Sequence, residues 1–165
     1  KEFGLLRAAA RSARVEVSKL RYGLEPLTRA RFTFVRGKSE WKLTGAQDIS
    51  RLFLESSLET RAVAGRVSRL LLRLIQGEEP VMELFKTVDE GLAALVHTQT
   101  PQEIKSVESL LVLRILAHLG YLPRTPELEP FFDIDFFSLE LAARVEQSRA
   151  LLMRTIYESL LASGL

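Results

Sequence analysis

The chain contains no cysteine, which removes a disulfide framework, a thiolate metal site and a cysteine nucleophile together. It also has no asparagine, so no Asn-linked glycosylation signal exists. Only two histidines are present, His97 and His118, and they stand 21 residues apart, poor material for a zinc site or Ser-His-Asp chemistry. Long hydrophobic runs are missing too. Arg or Glu breaks every apolar stretch within a few residues, so none is long enough to span a membrane. Lys1, Glu2, Phe3 and Gly4 do not form a signal peptide and no Met starts the chain, which points to a trimmed N-terminus with structure upstream.

What is present is an ordinary globular composition: 165 residues, 47% apolar and 27% charged, enough for one medium domain or two small ones with a sizeable core. The net charge of +2 hides an asymmetry. Residues 1–45 carry eleven Lys and Arg against four Glu, a balance of +7, and residues 46–165 carry twelve against seventeen acids, a balance of −5. A basic half of this kind is a cue for a polyanion partner, and equally compatible with two differently solvated faces.

Two hydrophobic periods meet near Thr44. Upstream, Thr28, Ala30, Phe32 and Phe34 alternate with Arg29, Arg31, Thr33 and Val35, which predicts a strand with one face buried. Arg36-Gly37-Lys38-Ser39 has turn character and Glu40-Trp41-Lys42-Leu43-Thr44 alternates again, so the two read as a hairpin. Residues 5–13 are ambiguous between strand and helix, and residues 18–24, closed by Pro26, predict a short helix or turn capped by Ser18. Downstream the period is helical. Residues 46–55, 59–75 and 81–96 each carry apolar side chains at three- and four-residue spacing. Thr100, Pro101 and Glu103 form a capping box, and Gly120 stands past the end of that helix, whose Leu110, Leu111, Leu113, Ile115, Leu116 and Leu119 mark it as central. Residues 121–137 hold three prolines and read as a loop, after which Ser138 opens a last long helix ending at Gly164. The expected fold is α+β, with residues 1–45 a basic β region and residues 46–165 an all-α domain.

Catalytic patterns do not assemble. Gly37-Lys38-Ser39 ends like a phosphate-binding loop, but the loop needs glycine five residues before its second Gly, where Phe32 stands. The acid pairs Glu78-Glu79, Glu127/Glu129 and Asp133/Asp135 sit in Pro- or Gly-marked turns and suit solvated caps better than acid/base work. No enzyme, no metal and no cofactor is expected.

The basic segment remains. Arg7, Arg11, Arg14, Lys19, Arg21, Arg29, Arg31, Arg36, Lys38 and Lys42 are interleaved with Tyr22, Phe32, Phe34 and Trp41. Cations neutralise phosphates and exposed aromatics stack on unpaired bases, which is how small barrels hold single strands. Phe32 and Phe34 alternate opposite the arginines and are expected in the core, leaving Trp41 and Tyr22 as stacking candidates or half-buried packing residues.

Ser18-Lys19-Leu20-Arg21-Tyr22-Gly23-Leu24-Glu25-Pro26-Leu27 resembles the S-x-L-x-x-x-L-x-P segment of bacterial RecO recombination-mediator proteins. Glu2-Phe3-Gly4-Leu5-Leu6 is similar to the family's R-E-x-G-L strand, and Leu43-Thr44-Gly45-Ala46-Gln47 to its L-T-x-A-E segment. Glu83-Leu84-Phe85 resembles E-L-F, and the run from Leu113 to Pro123 resembles L-R-x-L-x-x-L-G-Y-x-P. The resemblance implies an N-terminal OB-fold, here lacking its first strand or strands, followed by a helical domain. It further implies a cytoplasmic, nucleoid-associated protein that binds single- and double-stranded DNA and anneals complementary strands. Its implied partners are a RecR-like recombination protein and single-stranded-DNA-binding protein. The Cys-rich zinc segment that many members carry after G-Y-x-P is replaced here by Arg124-Thr125-Pro126-Glu127-Leu128-Glu129. The expected function is a non-enzymatic DNA-binding repair mediator that holds DNA on Arg7, Arg11, Arg14, Lys19, Arg21, Arg29, Arg31, Arg36, Lys38 and Lys42. The alternative is a helical protein-interaction module whose basic part only aids solubility.

Overall fold

A computed structural model of the chain describes residues 3–10, 20–78 and 80–164, and shows an α+β fold. A three-stranded sheet has the order β1 (Ala8–Ala9), β3 (Trp41–Ser50), β2 (Arg29–Arg36). β2 and β3 form the expected antiparallel hairpin, with Phe32 opposite Ala46 and Arg36 opposite Trp41, while β1 runs parallel to β3 beside Trp41 and Lys42. Alternation decides the faces of β2. Ala30, Phe32 and Phe34 are half-buried, and Arg29, Arg31, Thr33 and Val35 are exposed.

Residues 46–50 do not form the helix that their spacing predicts. β3 continues to Ser50, turns follow, and α1 begins only at Leu58. The reason is tertiary. Gly45, Ala46 and Gln47 pair with Thr33, Phe32 and Arg31, and the strand bends where Asp48 takes a left-handed φ of 51°. A single turn of 3-10 helix, Arg21–Leu24, lies on the same face through Gly23, where a Cβ would come within 2.8 Å of the Ala46 Cβ. Only glycine allows that approach.

Six helices follow: α1 (Leu58–Leu74), α2 (Met82–His97), α3 (Pro101–His118), α4 (Glu129–Asp133), α5 (Leu141–Gln147) and α6 (Arg149–Ala162). Ser57 caps α1, its Oγ accepting from the Thr60 N–H at 3.1 Å. The Thr100 capping box is present in full: Thr100 Oγ1 accepts from Glu103 N–H at 3.2 Å while the Glu103 carboxylate accepts from Thr100 N–H at 3.2 Å. At the other end of α3, Gly120 has φ 77°, Tyr121 N–H donates to Leu116 and Gly120 N–H to Ala117, a complete Schellman stop.

α3 is the centre of the core, as its all-round apolar pattern predicts. Leu110, Leu111, Leu113, Ile115 and Leu116 are wholly buried against α1, α2, α5 and α6. Each such side chain contributes about 1.5–3 kcal/mol by leaving water. Two expectations need correction. The proline-rich segment contains the short helix α4, and the last long helix is two, α5 and α6, interrupted at Ser148. α4 is held from inside: Arg114 Nε donates to the Phe131 carbonyl at 3.0 Å and its terminal nitrogen donates to that of Ile134. Its guanidinium lies 4.6 Å over the Phe136 ring. Burial lowers the Arg114 pKa, opposed by the charges of Glu90, Asp135 and Asp133.

Candidate nucleic-acid interface

The cations singled out in the sequence fall into three groups. Arg11, Arg14 and Lys19, with the side chain of Arg21, lie outside the described residues. Arg29 and Arg31 are exposed from β2 as alternation requires, but each meets a carboxylate. Arg29 reaches Asp89 of α2 at 3.0 Å, and Arg31 reaches Asp48 across the strand pair at 3.2 Å. The Arg31 pair is exposed and the Arg29 pair partly so, so each is worth a few tenths to about 1 kcal/mol and is screened by salt.

The third group gathers at the closed end of the hairpin. Arg36, Lys38 and Lys42, with Gly37, Ser39 and Glu40, line an open hollow of about 580 Å³. The turn is tight, since Gly37 N–H donates to the Glu40 carbonyl at 2.9 Å, and the Lys42 stem crosses Gly37. Arg7 precedes β1, whose Ala8 is registered with Trp41, so it stands beside the same end of the sheet. Among the described residues none of Arg7, Arg36, Lys38 and Lys42 makes an ion pair. Chemically this is a cluster of three cations with one carboxylate, Glu40, around the turn, with no ion pair to Arg36, Lys38 or Lys42 among the described residues, and it suits phosphate oxygens.

The aromatics separate as well. Phe32 and Phe34 are half-buried with ring centroids 6.1 Å apart. Trp41 is fastened: its indole N–H donates to Glu78, Phe3 packs on it at 5.4 Å and the Arg36 guanidinium lies 5.2 Å from its ring centre. Tyr22 stays open, with Arg51 beside its ring. Sequence reading missed Arg51, because it sits in a stretch read as helix.

A second feature lies among the helices. Val67, Leu70, Val112, Met153, Ile156 and Leu160 form the apolar floor of a groove of about 450 Å³ between α1, α3 and α6. Across its rim Arg66 of α1 makes a two-pronged pair with Glu108 of α3, both bonds 2.8 Å, which raises the Arg66 pKa above its ordinary value. No described helix is long and apolar enough to cross a membrane.

Comparison with known proteins bears on the helical part first. Residues 55–126, covering α1, α2 and α3, match the family model described as recombination protein O C terminal. The chain is also 29% identical over 124 residues to the DNA repair protein RecO of Gloeothece citriformis, and 28% identical over 124 residues to that of Pelotomaculum thermopropionicum. Over these residues the chain is similar to RecO proteins. Each match takes in 74% of this chain but only 44% and 47% of the two relatives, so it spans less than half of either RecO protein. The family model covers α1, α2 and the central helix α3, and leaves the sheet outside its bounds.

Proposed function

We propose that this chain is a non-enzymatic part of a DNA recombination-repair mediator that holds DNA on its basic sheet and partner proteins on its helices. The observation that carries the reading is the hairpin end, where Arg36, Lys38 and Lys42 line one hollow with no ion pair among the described residues. Arg7, Arg29 and Arg31 extend that surface, and Arg11, Arg14, Lys19 and Arg21 belong to the same basic segment. The RecO names of the relatives supply the repair context. Contacts of cation to phosphate carry no base information, so binding is weakly sequence-dependent. Annealing follows from the same surface, because screening the phosphates lowers the repulsion between complementary strands. The sheet stands for the strands of a partial OB-fold in the basic region, residues 1–45, and the helices belong to the region 46–165, whose first five residues complete β3.

The apolar groove between α1, α3 and α6 favours a second activity on the same chain, docking of a partner protein. A RecR-like protein and single-stranded-DNA-binding protein are the partners that the family resemblance suggests, with the cytoplasm and nucleoid as the setting. If docking is the whole function, DNA affinity is absent and the sheet is only a support.

Charge reversal at the hairpin end separates these readings. Arg36→Glu with Lys38→Glu is expected to weaken binding of a labelled oligonucleotide at least tenfold at low salt, with the helical part still folded by circular dichroism. Parent-like binding in that variant contradicts the proposed surface and leaves docking as the function.

A further inference from the structure

Tyr22 is exposed to 54% of its surface although it belongs to a turn packed directly on the sheet. The next residue, Gly23, is buried against the sheet, where a Cβ would meet Ala46, Ile49 and Phe32 within 4 Å, so the turn sits close on the strands while the Tyr22 ring stays open. Among the described residues one charged group lies over the ring. The Arg51 guanidinium stands 5.0 Å from the ring centre and is braced by Glu25 at 3.4 Å. Leu24 and Ile49 are exposed beside it, so the ring stands in a small apolar patch with a cation at its margin. Trp41 offers no such surface, since Glu78, Phe3 and Arg36 already occupy it.

We infer that Tyr22, backed by Arg51, is a stacking platform for one unpaired nucleobase, and that it makes the DNA surface prefer single strands to duplex. This rests on the reading that the sheet holds DNA. A base inside a duplex has both faces covered by its neighbours and cannot reach a protein ring, whereas an unpaired base can. A stack uses no base edge, so the preference is for strand state and not for sequence. Arg51 does two things: it holds the ring in one orientation, and it places positive charge where the phosphate next to a stacked base lies. Arg36 and Trp41 share the sheet face on which the 3-10 turn sits, about 25 Å along β3 from Ile49 at 3.3 Å per residue. A single extended strand can therefore present phosphates to the hairpin end and a base to Tyr22.

The test uses the full chain with Tyr22→Leu and Tyr22→Trp, a labelled oligo-dT, a matched duplex, and an oligonucleotide carrying internal 2-aminopurine. Tyr22→Leu is expected to weaken single-strand binding about tenfold, leave duplex binding and the salt slope unchanged, and abolish quenching of 2-aminopurine. Tyr22→Trp is expected to restore both affinity and quenching. Melting curves verify that the variants fold, as expected for an exposed position. If the parent binds DNA and Tyr22→Leu either binds oligo-dT as tightly or loses single strand and duplex equally, the platform is wrong while the phosphate surface stands. If the parent binds neither nucleic acid, both are wrong.

Discussion

The indole N–H of Trp41 donates to both carboxylate oxygens of Glu78, at 3.0 and 3.1 Å. This contact ties β3 to the turn between α1 and α2, and the Glu78 carbonyl adds a second tie by accepting from Gly4 N–H at 3.1 Å. The sheet and the helical part are thus joined by the residue that sequence reading nominated for stacking on bases.

Trp41→Phe keeps an aromatic ring and removes the donor. It is expected to cost about 1 kcal/mol of stability, read as a lower Tm, and to leave oligonucleotide affinity within about twofold. A large loss of affinity at unchanged Tm would assign Trp41 to the DNA surface instead.

Asp89 competes with phosphate for Arg29 across a 3.0 Å pair. Asp89→Asn frees the guanidinium and removes a negative charge beside it. Affinity for an oligonucleotide at low salt is expected to rise about threefold, the scale of an exposed ion pair. An unchanged or weaker affinity means that Arg29 does not face the DNA.

Arg114 supports α4 by donating to the carbonyls of Phe131 and Ile134. Arg114→Met leaves both unpaired and is expected to cost roughly 2–4 kcal/mol in denaturant unfolding. Arg114→Lys, with a single ammonium in place of the fork, is expected to recover only part of it. Parent stability in Arg114→Met would show that α4 is held by packing alone.

His118 accepts or donates a 2.9 Å bond with Thr87 between α3 and α2, and burial, then the charge of Arg124, lowers its pKa. The folded state therefore disfavours the protonated ring. Its contribution is complete above the ordinary imidazole pKa of about 6.5 and is lost as pH falls below that value toward the folded pKa, because the unfolded chain binds the proton first. Unfolding free energy measured from pH 8 to 5 is expected to decline below about pH 6.5, and His118→Gln to flatten that part of the decline. An identical profile in the variant would place the titration elsewhere.

Much of this was legible in residue order. The all-round apolar run of α3, its Thr100 cap and its Gly120 stop each rest on local chemistry, and each is in place. So is the hairpin, whose alternation is local too. Ala46 to Ser50 misled because Ala46 and Asp48 are poor strand formers by themselves, and only pairing with β2 makes the stretch a strand. The break at Ser148 and the helix α4 within a proline-rich segment are likewise decided by packing, the latter by a buried Arg114 that no spacing rule announces. For the site, positions could be named but not partners. Asp89 and Glu78 lie 60 and 37 residues from Arg29 and Trp41, beyond any local pattern.

If the hairpin-end cations, which make no ion pair among the described residues, hold DNA phosphates, the salt dependence of binding shows it most directly. With Arg7, Arg36, Lys38 and Lys42 engaged, a plot of log affinity for oligo-dT against log salt is expected to fall with a slope of about −2 to −3, at roughly 0.7 per phosphate neutralised. Arg36→Glu with Lys38→Glu is expected to bring that slope near −1. A parent slope indistinguishable from zero, or no binding at low salt, would contradict the account.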